Sequence, residues 1–154
     1  MNRTTSRKGV DVTQNLSFRI IALASALGRS AATAIPDEVG ISVAQWRVIS
    51  VIGSRPGISF GALVRILEID KGWISRTLAK LQQEGLVASE PDPRDKRQFM
   101  LTLTEAGVAL HVKGSRISRR RQQQLEAEFT PQEYANLEKL LDRLHKAAER
   151  LSAL

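Results

Sequence analysis

The chain has 154 residues, of which 42% are hydrophobic but only 5% aromatic, and it carries a formal charge of +7. Such a composition suits a core of Leu, Ile, Val and Ala in an α-rich protein and argues against a β-sandwich. The absence of cysteine excludes a disulfide framework, thiolate zinc sites and a thiol-oxidation sensor. His111 and His145 stand far apart without acidic residues spaced around them, so neither a metal centre nor a cofactor is expected, and both read as helix-surface residues.

Residues 1–11 are polar and are expected to form a disordered tail. They contain no hydrophobic signal segment, and no later apolar run approaches the length of a membrane span, so a soluble, cytoplasmic protein without membrane contact is expected. From Val12 the pattern becomes helical. Leu16, Ile20, Leu23 and Leu27 recur at heptad-like spacing, a narrow seam that calls for another helix and ends near Ile35-Pro36.

Ser42 and Gln45 have the spacing of a capping box and open a helix from Val43 to Gly53. Trp46, Val48, Ile49, Val51 and Ile52 make that helix apolar on most faces, as for a strut buried between layers. Arg55-Pro56-Gly57 then turns the chain. Ser59 starts a short helix, Phe60 to Leu67, and Glu68-Ile69 leads to a second, capped by Asp70 and ended by Gly85. Within the second, Ile74, Leu78 and Leu81 share one face while Lys71, Ser75, Arg76 and Lys80 project elsewhere. Two short helices with a tight turn read as helix-turn-helix.

After Gly85 come Leu86 to Ser89, a polar loop from Glu90 to Arg97, and Phe99 to Leu103, where Phe99, Leu101 and Leu103 alternate with Met100 and Thr102. This predicts a β-hairpin with a charged tip, the wing of a winged helix-turn-helix. Thr104 and Glu105 start a helix bearing Val108, Val112, Ile117, Leu125 and Phe129. Thr130 to Glu133 is a second capping box with proline at the first helical position. The helix it opens has a seam of Tyr134, Leu137, Leu141, Leu144 and Leu151, with Asp142 four residues before Lys146.

The expected class is mainly α (α+β). Residues 42–104 form a winged helix-turn-helix, and 12–36 with 105–154 form a helical dimerisation region whose seams are buried against a second copy. Charge follows the same division: residues 71–121 hold eleven Lys/Arg against five Asp/Glu, whereas residues 122–154 hold four against six. Positive charge that coincides with a reading helix and a wing points to double-stranded DNA. Arg76 suits bidentate pairing with guanine, Ser75 can read several bases, and Lys71 and Lys80 suit phosphates. In the wing, Arg94, Asp95, Lys96 and Arg97 form the candidate set, with Arg97 directed at a narrow minor groove and Asp95 orienting it. Trp73 packs sideways on the winged core or presents its ring edge to a thymine methyl. With no nucleophile–base pair and no glycine-rich phosphate loop, an enzyme is not expected. The alternative is a nucleoid-type protein that uses the same charge with little sequence preference.

The helix Asp70-Lys-Gly-Trp-Ile-Ser-Arg76, the segment Leu81 to Val87, the wing Pro91-Asp-Pro-Arg-Asp-Lys-Arg97 and Leu101-Thr-Leu-Thr-Glu-Ala-Gly107 resemble the MarR family of bacterial regulators. The similarity runs from about Val12 onward, and the wing with Leu-Thr-Leu-Thr-Glu-x-Gly is its most specific part. The resemblance implies a homodimeric transcription regulator, usually a repressor. Its recognition helices would enter successive major grooves and its wings the minor groove. It also implies a small anionic or aromatic effector between the dimerisation helices and the winged domain. Lys71, Ser75 and Arg76 match family positions on the recognition helix, and Asp95 with Arg97 matches the wing pair. Trp73 departs from the small polar residue common there. Glu68 departs from a frequent glycine; a left-handed turn at Glu68 would cost about 1 to 2 kcal/mol.

Overall fold

The computed structural model describes residues 11–93, 95–96 and 98–152. Residues 1–10 of the expected tail, the wing residues Arg94 and Arg97, and the last two residues lie outside this set. Asp11 does not belong to the tail: its carboxylate accepts from the Thr13 backbone N–H at 3.0 Å and from the Thr13 hydroxyl at 2.6 Å. These bonds, the hydroxyl's first, hold the Asp11 carboxyl below its ordinary value, and they cap a 3-10 turn at Val12–Gln14.

Helix α1 runs Leu16–Val39, through the proline expected to end it. Pro36 lies in the last turn, where it supplies no N–H to the Ala32 carbonyl, yet the helix stops only at Gly40, whose φ of +83° gives the left-handed cap. This helix also corrects the expectation about apolar length. Its best 18-residue window has a mean hydropathy of 1.3 and is 6% buried, so by length and composition it could cross a membrane. Alanines between the large residues raise that average without standing out as an apolar run. Only the C-terminal end, through Ile35 and Val39, enters the core, while Leu16, Ile20, Leu23 and Leu27 are exposed.

Helix α2 (Val43–Ser54) starts at the predicted capping box, with both reciprocal hydrogen bonds formed. It packs on α1 and α5 (Glu105–Glu126) and, within the winged domain, on α3 (Phe60–Leu67), α4 (Lys71–Gln83) and β3 (Phe99–Leu103). Its Val48, Ile49 and Ile52 are fully buried with Leu63, Ile74, Leu81 and Leu101. The sheet has three antiparallel strands in the order β1-β3-β2. β1, Ile58–Ser59, was not anticipated: two residues are too short to show alternation, and they form a strand because Ile58 faces Leu101 across the ladder. β2 (Val87–Pro91) continues two residues into the expected loop, and Pro91 opposite Phe99 sits at the end of an edge strand, where a missing donor is tolerated.

Helix α5 approaches the winged core through glycines. Gly107 lies against the Leu86 carbonyl, and Gly114 lies against the Trp46 ring, where a β-carbon would overlap either neighbour. His111 is half-buried rather than at the surface; its ring covers Gly53 and stacks on Trp46 at 6.0 Å and 24°. Of the residues expected to pack along α5, Ile117 is buried and Val108, Val112, Leu125 and Phe129 are exposed. The α5–α6 corner is closed by the Thr130–Glu133 box. Helix α6, Pro131–Ser152, leaves Leu140, Leu141 and Leu151 exposed. His145 Nε2 lies 3.7 Å from Glu149 and 3.4 Å from Glu68, whereas the expected pair of Asp142 with Lys146 does not form among the described residues.

Candidate nucleic-acid interface

Helix α4 owes its position to both ends and one face. Asp70 accepts from the Trp73 N–H at 2.8 Å, satisfying a donor that the helix itself leaves free. At the other end Gly85 adopts φ +69°, and the Thr104 hydroxyl donates to its carbonyl at 2.6 Å. Between them Ile74, Leu78 and Leu81 are buried. Lys71, Ser75, Arg76 and Lys80 are all exposed, as helical periodicity requires when that stripe faces inward. Trp73 is half-buried and packs against the core, which favours its sideways reading. The Arg76 guanidinium lies over the first turn, where a β-carbon on Gly72 would sit 3.4 Å from Nη1.

Between α4 and the wing lies an open cleft of 610 Å³ whose lining brings Lys71 and Ser75 together with Ser89, Gln98 and Phe99. It joins two parts of the expected surface that are more than a dozen residues apart in sequence. Arg76 and Lys80 lie outside it, and Lys80 instead sits 3.8 Å from Glu84.

The wing tip is folded by its own backbone: the Asp92 N–H donates to the Gln98 carbonyl and the Gln98 N–H to the Asp95 carbonyl, each at 2.8 Å. Gln98 also donates its side-chain amide to the Asp95 carboxylate at 3.2 Å. Asp95 is thus engaged by a residue that sequence reasoning missed, since a glutamine beside a run of charges carries no pattern of its own. Lys96 is exposed at the tip. The expected pairing of Asp95 with Arg97, and the charge of Arg94 beside it, lie outside the described residues.

Not all basic residues serve this surface. Arg120 pairs with Glu38 at 2.6 Å, and Arg121 donates to the Ser30 hydroxyl at 2.8 Å and the Leu27 carbonyl at 3.4 Å. These contacts tie α5 to α1. Lys71 lines the cleft and Arg76, Lys80 and Lys96 are exposed outside it, donors of the kind that contact phosphates and base edges. Among the described residues there is no group of three or more His, Asp or Glu that could hold a metal.

Residues 39–98 match the family model described as MarR family. The multiple antibiotic resistance protein MarR of Escherichia coli K12 is 31% identical over 109 residues, covering 70% of this chain and 76% of that protein. A MarR/EmrR family transcriptional regulator from Acinetobacter sp. ADP1 has a crystal structure that superposes with a TM-score of 0.84. It is 30% identical and covers 92% of this chain and 99% of its own. The PcaV transcriptional regulator of Streptomyces coelicolor, solved with its natural ligand, gives a TM-score of 0.73 at 26% identity over 90% of this chain and 97% of its own.

Proposed function

The chain belongs to the MarR family of DNA-binding transcription regulators, and from that premise we propose that it is a cytoplasmic, homodimeric repressor of a pseudo-palindromic operator. The observation that carries the reading is the exposed row Lys71, Ser75, Arg76 and Lys80 on a helix whose opposite face is buried, beside a hairpin that shares a cleft with it. In this reading Arg76 pairs with a guanine and Ser75 contacts a neighbouring base, while Lys71, Lys80 and Lys96 neutralise phosphates. Arg97 enters the minor groove. A small aromatic or anionic effector releases the DNA; the PcaV relative, solved with its natural ligand, supports the presence of an effector.

Two identical heads related by a two-fold axis require half-sites centred about one helical turn, 10 to 10.5 base pairs, apart. Selection of bound sequences from random DNA should therefore yield a two-fold symmetric consensus. Arg76→Ala should cost about 1 to 3 kcal/mol and relax the preference at one position per half-site. Selected sites without symmetry, or an Arg76→Ala protein with unchanged preference, would overturn the assignment. A uniform affinity for all sequences would return the reading to a nucleoid-type protein.

A further inference from the structure

We propose that Gln45 and Glu84 are positioning residues that fix the orientation of the reading helix relative to the joint between α1 and α2. The inference rests on the reading of α4 as the helix that enters DNA. Among the described residues Gln45 is the polar side chain that is buried, at 6% exposure, and its carboxamide is bonded at both ends. Oε1 accepts from the Ser42 N–H at 3.0 Å and from the Ser42 hydroxyl at 2.9 Å. Nε2 donates to Glu84 Oε2 at 2.9 Å. A capping box needs only the first of these. The bond to Glu84 spans 39 positions of sequence and ends on the residue that caps α4.

The joint is short. Val39 ends α1, Gly40 takes the left-handed conformation, Ile41 is buried and Ser42 caps α2. Rotation of α1 about Gly40 therefore acts on Ser42, whose N–H and hydroxyl are both held by Gln45, and through Gln45 on Glu84. Burial of Ile74, Leu78 and Leu81 sets how deeply α4 sits, but apolar contact is non-directional. A hydrogen bond from an amide to a carboxylate is directional and stronger than a neutral one, so it restrains the rotation that decides where Arg76 and Ser75 point. Glu84 also holds Lys80 through its other oxygen, 3.8 Å away.

The test compares affinity for the selected operator with affinity for random DNA, at one salt concentration, in Glu84→Ala, Glu84→Gln, Gln45→Met and the Gln45→Met/Glu84→Ala double variant. Glu84→Gln and Glu84→Ala lose the same charge, but only the glutamine keeps an acceptor for Gln45, so their difference isolates the hydrogen bond. The ratio of specific to random affinity should fall by about tenfold in Glu84→Ala relative to Glu84→Gln, because a reading helix turned out of register loses base contacts of Arg76 and Ser75 while the phosphate contacts shared with random DNA remain. In the double variant thermal stability should recover while the ratio stays low. Equal ratios in the two Glu84 variants, or recovery of both quantities in the double variant, would overturn the proposal. If Arg76→Ala lowers the ratio and the Glu84 variants do not differ, this inference alone fails; if Arg76→Ala changes nothing, the reading of α4 fails and this inference with it.

Discussion

The carboxylate of Glu68 lies 3.4 Å from Nε2 of His145, joining the turn of the helix-turn-helix to the last helix of the chain. Glu68 is also, among the described residues, the non-glycine with positive φ, at +50°. At this position a side chain therefore occupies a conformation that glycine adopts without strain. Both side chains are more than half exposed, so the contact offsets little of that strain.

Replacing Glu68 by glycine should consequently stabilise the protein, by about 0.5 to 1 kcal/mol once the added freedom of the unfolded chain is counted. Glu68→Gln keeps the strain and removes only the charge, and should change stability by less than about 0.5 kcal/mol. Denaturant titration of both variants checks this. Loss of stability in Glu68→Gly would mean that the contact with His145 outweighs the backbone term.

A second expectation concerns the bare seams. Leu16, Ile21 and Leu23 of α1 and Leu141 and Leu151 of α6 are all more than half exposed in the single chain, two apolar seams of the kind that a second copy covers. Sedimentation should give twice the chain mass of 17.0 kDa. Charged residues at both Leu141 and Leu144 should dissociate or unfold the protein. A folded monomer of the unaltered chain at micromolar concentration would remove the dimer from the proposal.

Where sequence and structure agree, local chemistry decides the outcome. Ser59, Asp70 and Thr104 each accept the cap hydrogen bond their position calls for, and the stripe at 74, 78 and 81 needs only helical geometry to face inward. What the sequence hides depends on partners far along the chain. Ile58–Ser59 is a strand only because β3 is beside it. His111 is half-buried only because Gly53 opens space on the facing helix. Gln45 announces its bond to Ser42 by spacing three apart, whereas its bond to Glu84 leaves no trace in either neighbourhood. The site divides the same way: the row on α4 was legible from periodicity, and the cleft shared with Gln98 and Phe99 was not.

The start of α6 should respond to acid. The Thr130 backbone N–H and, second, its hydroxyl both donate to Glu133 at 2.8 Å, and they hold its carboxyl below the ordinary glutamate value of 4.5. A depressed pKa in the folded state means that the stabilisation is present above the unfolded value and is lost as pH falls through the folded one. Carboxyl-resolved NMR should therefore find Glu133 titrating below 4.5, with the first turn of α6 loosening in the same range, and Glu133→Gln should remove that pH dependence. A midpoint at or above 4.5 would show that the box does not hold in solution.

The wing should contribute affinity through charge and groove shape rather than base identity. Its turn is closed by Gln98 on Asp95, and Lys96 stands exposed at the tip. Loss of one phosphate contact lowers the slope of log affinity against log salt by about 0.9, so Lys96→Ala should flatten the salt dependence equally for every sequence. Arg97→Ala should flatten it as well, and should also erase any preference for A·T-rich flanks, whose narrow minor groove concentrates negative potential. Gln98→Ala separates geometry from charge: it removes the hydrogen bond to Asp95 and no charge, and should weaken binding while leaving the slope intact. The measurement is binding of the three variants to sites with A·T-rich and G·C-rich flanks across a salt series. Unchanged slopes for Lys96→Ala and Arg97→Ala, with flank preference intact, would take the wing out of the interface and leave α4 as its sole reader.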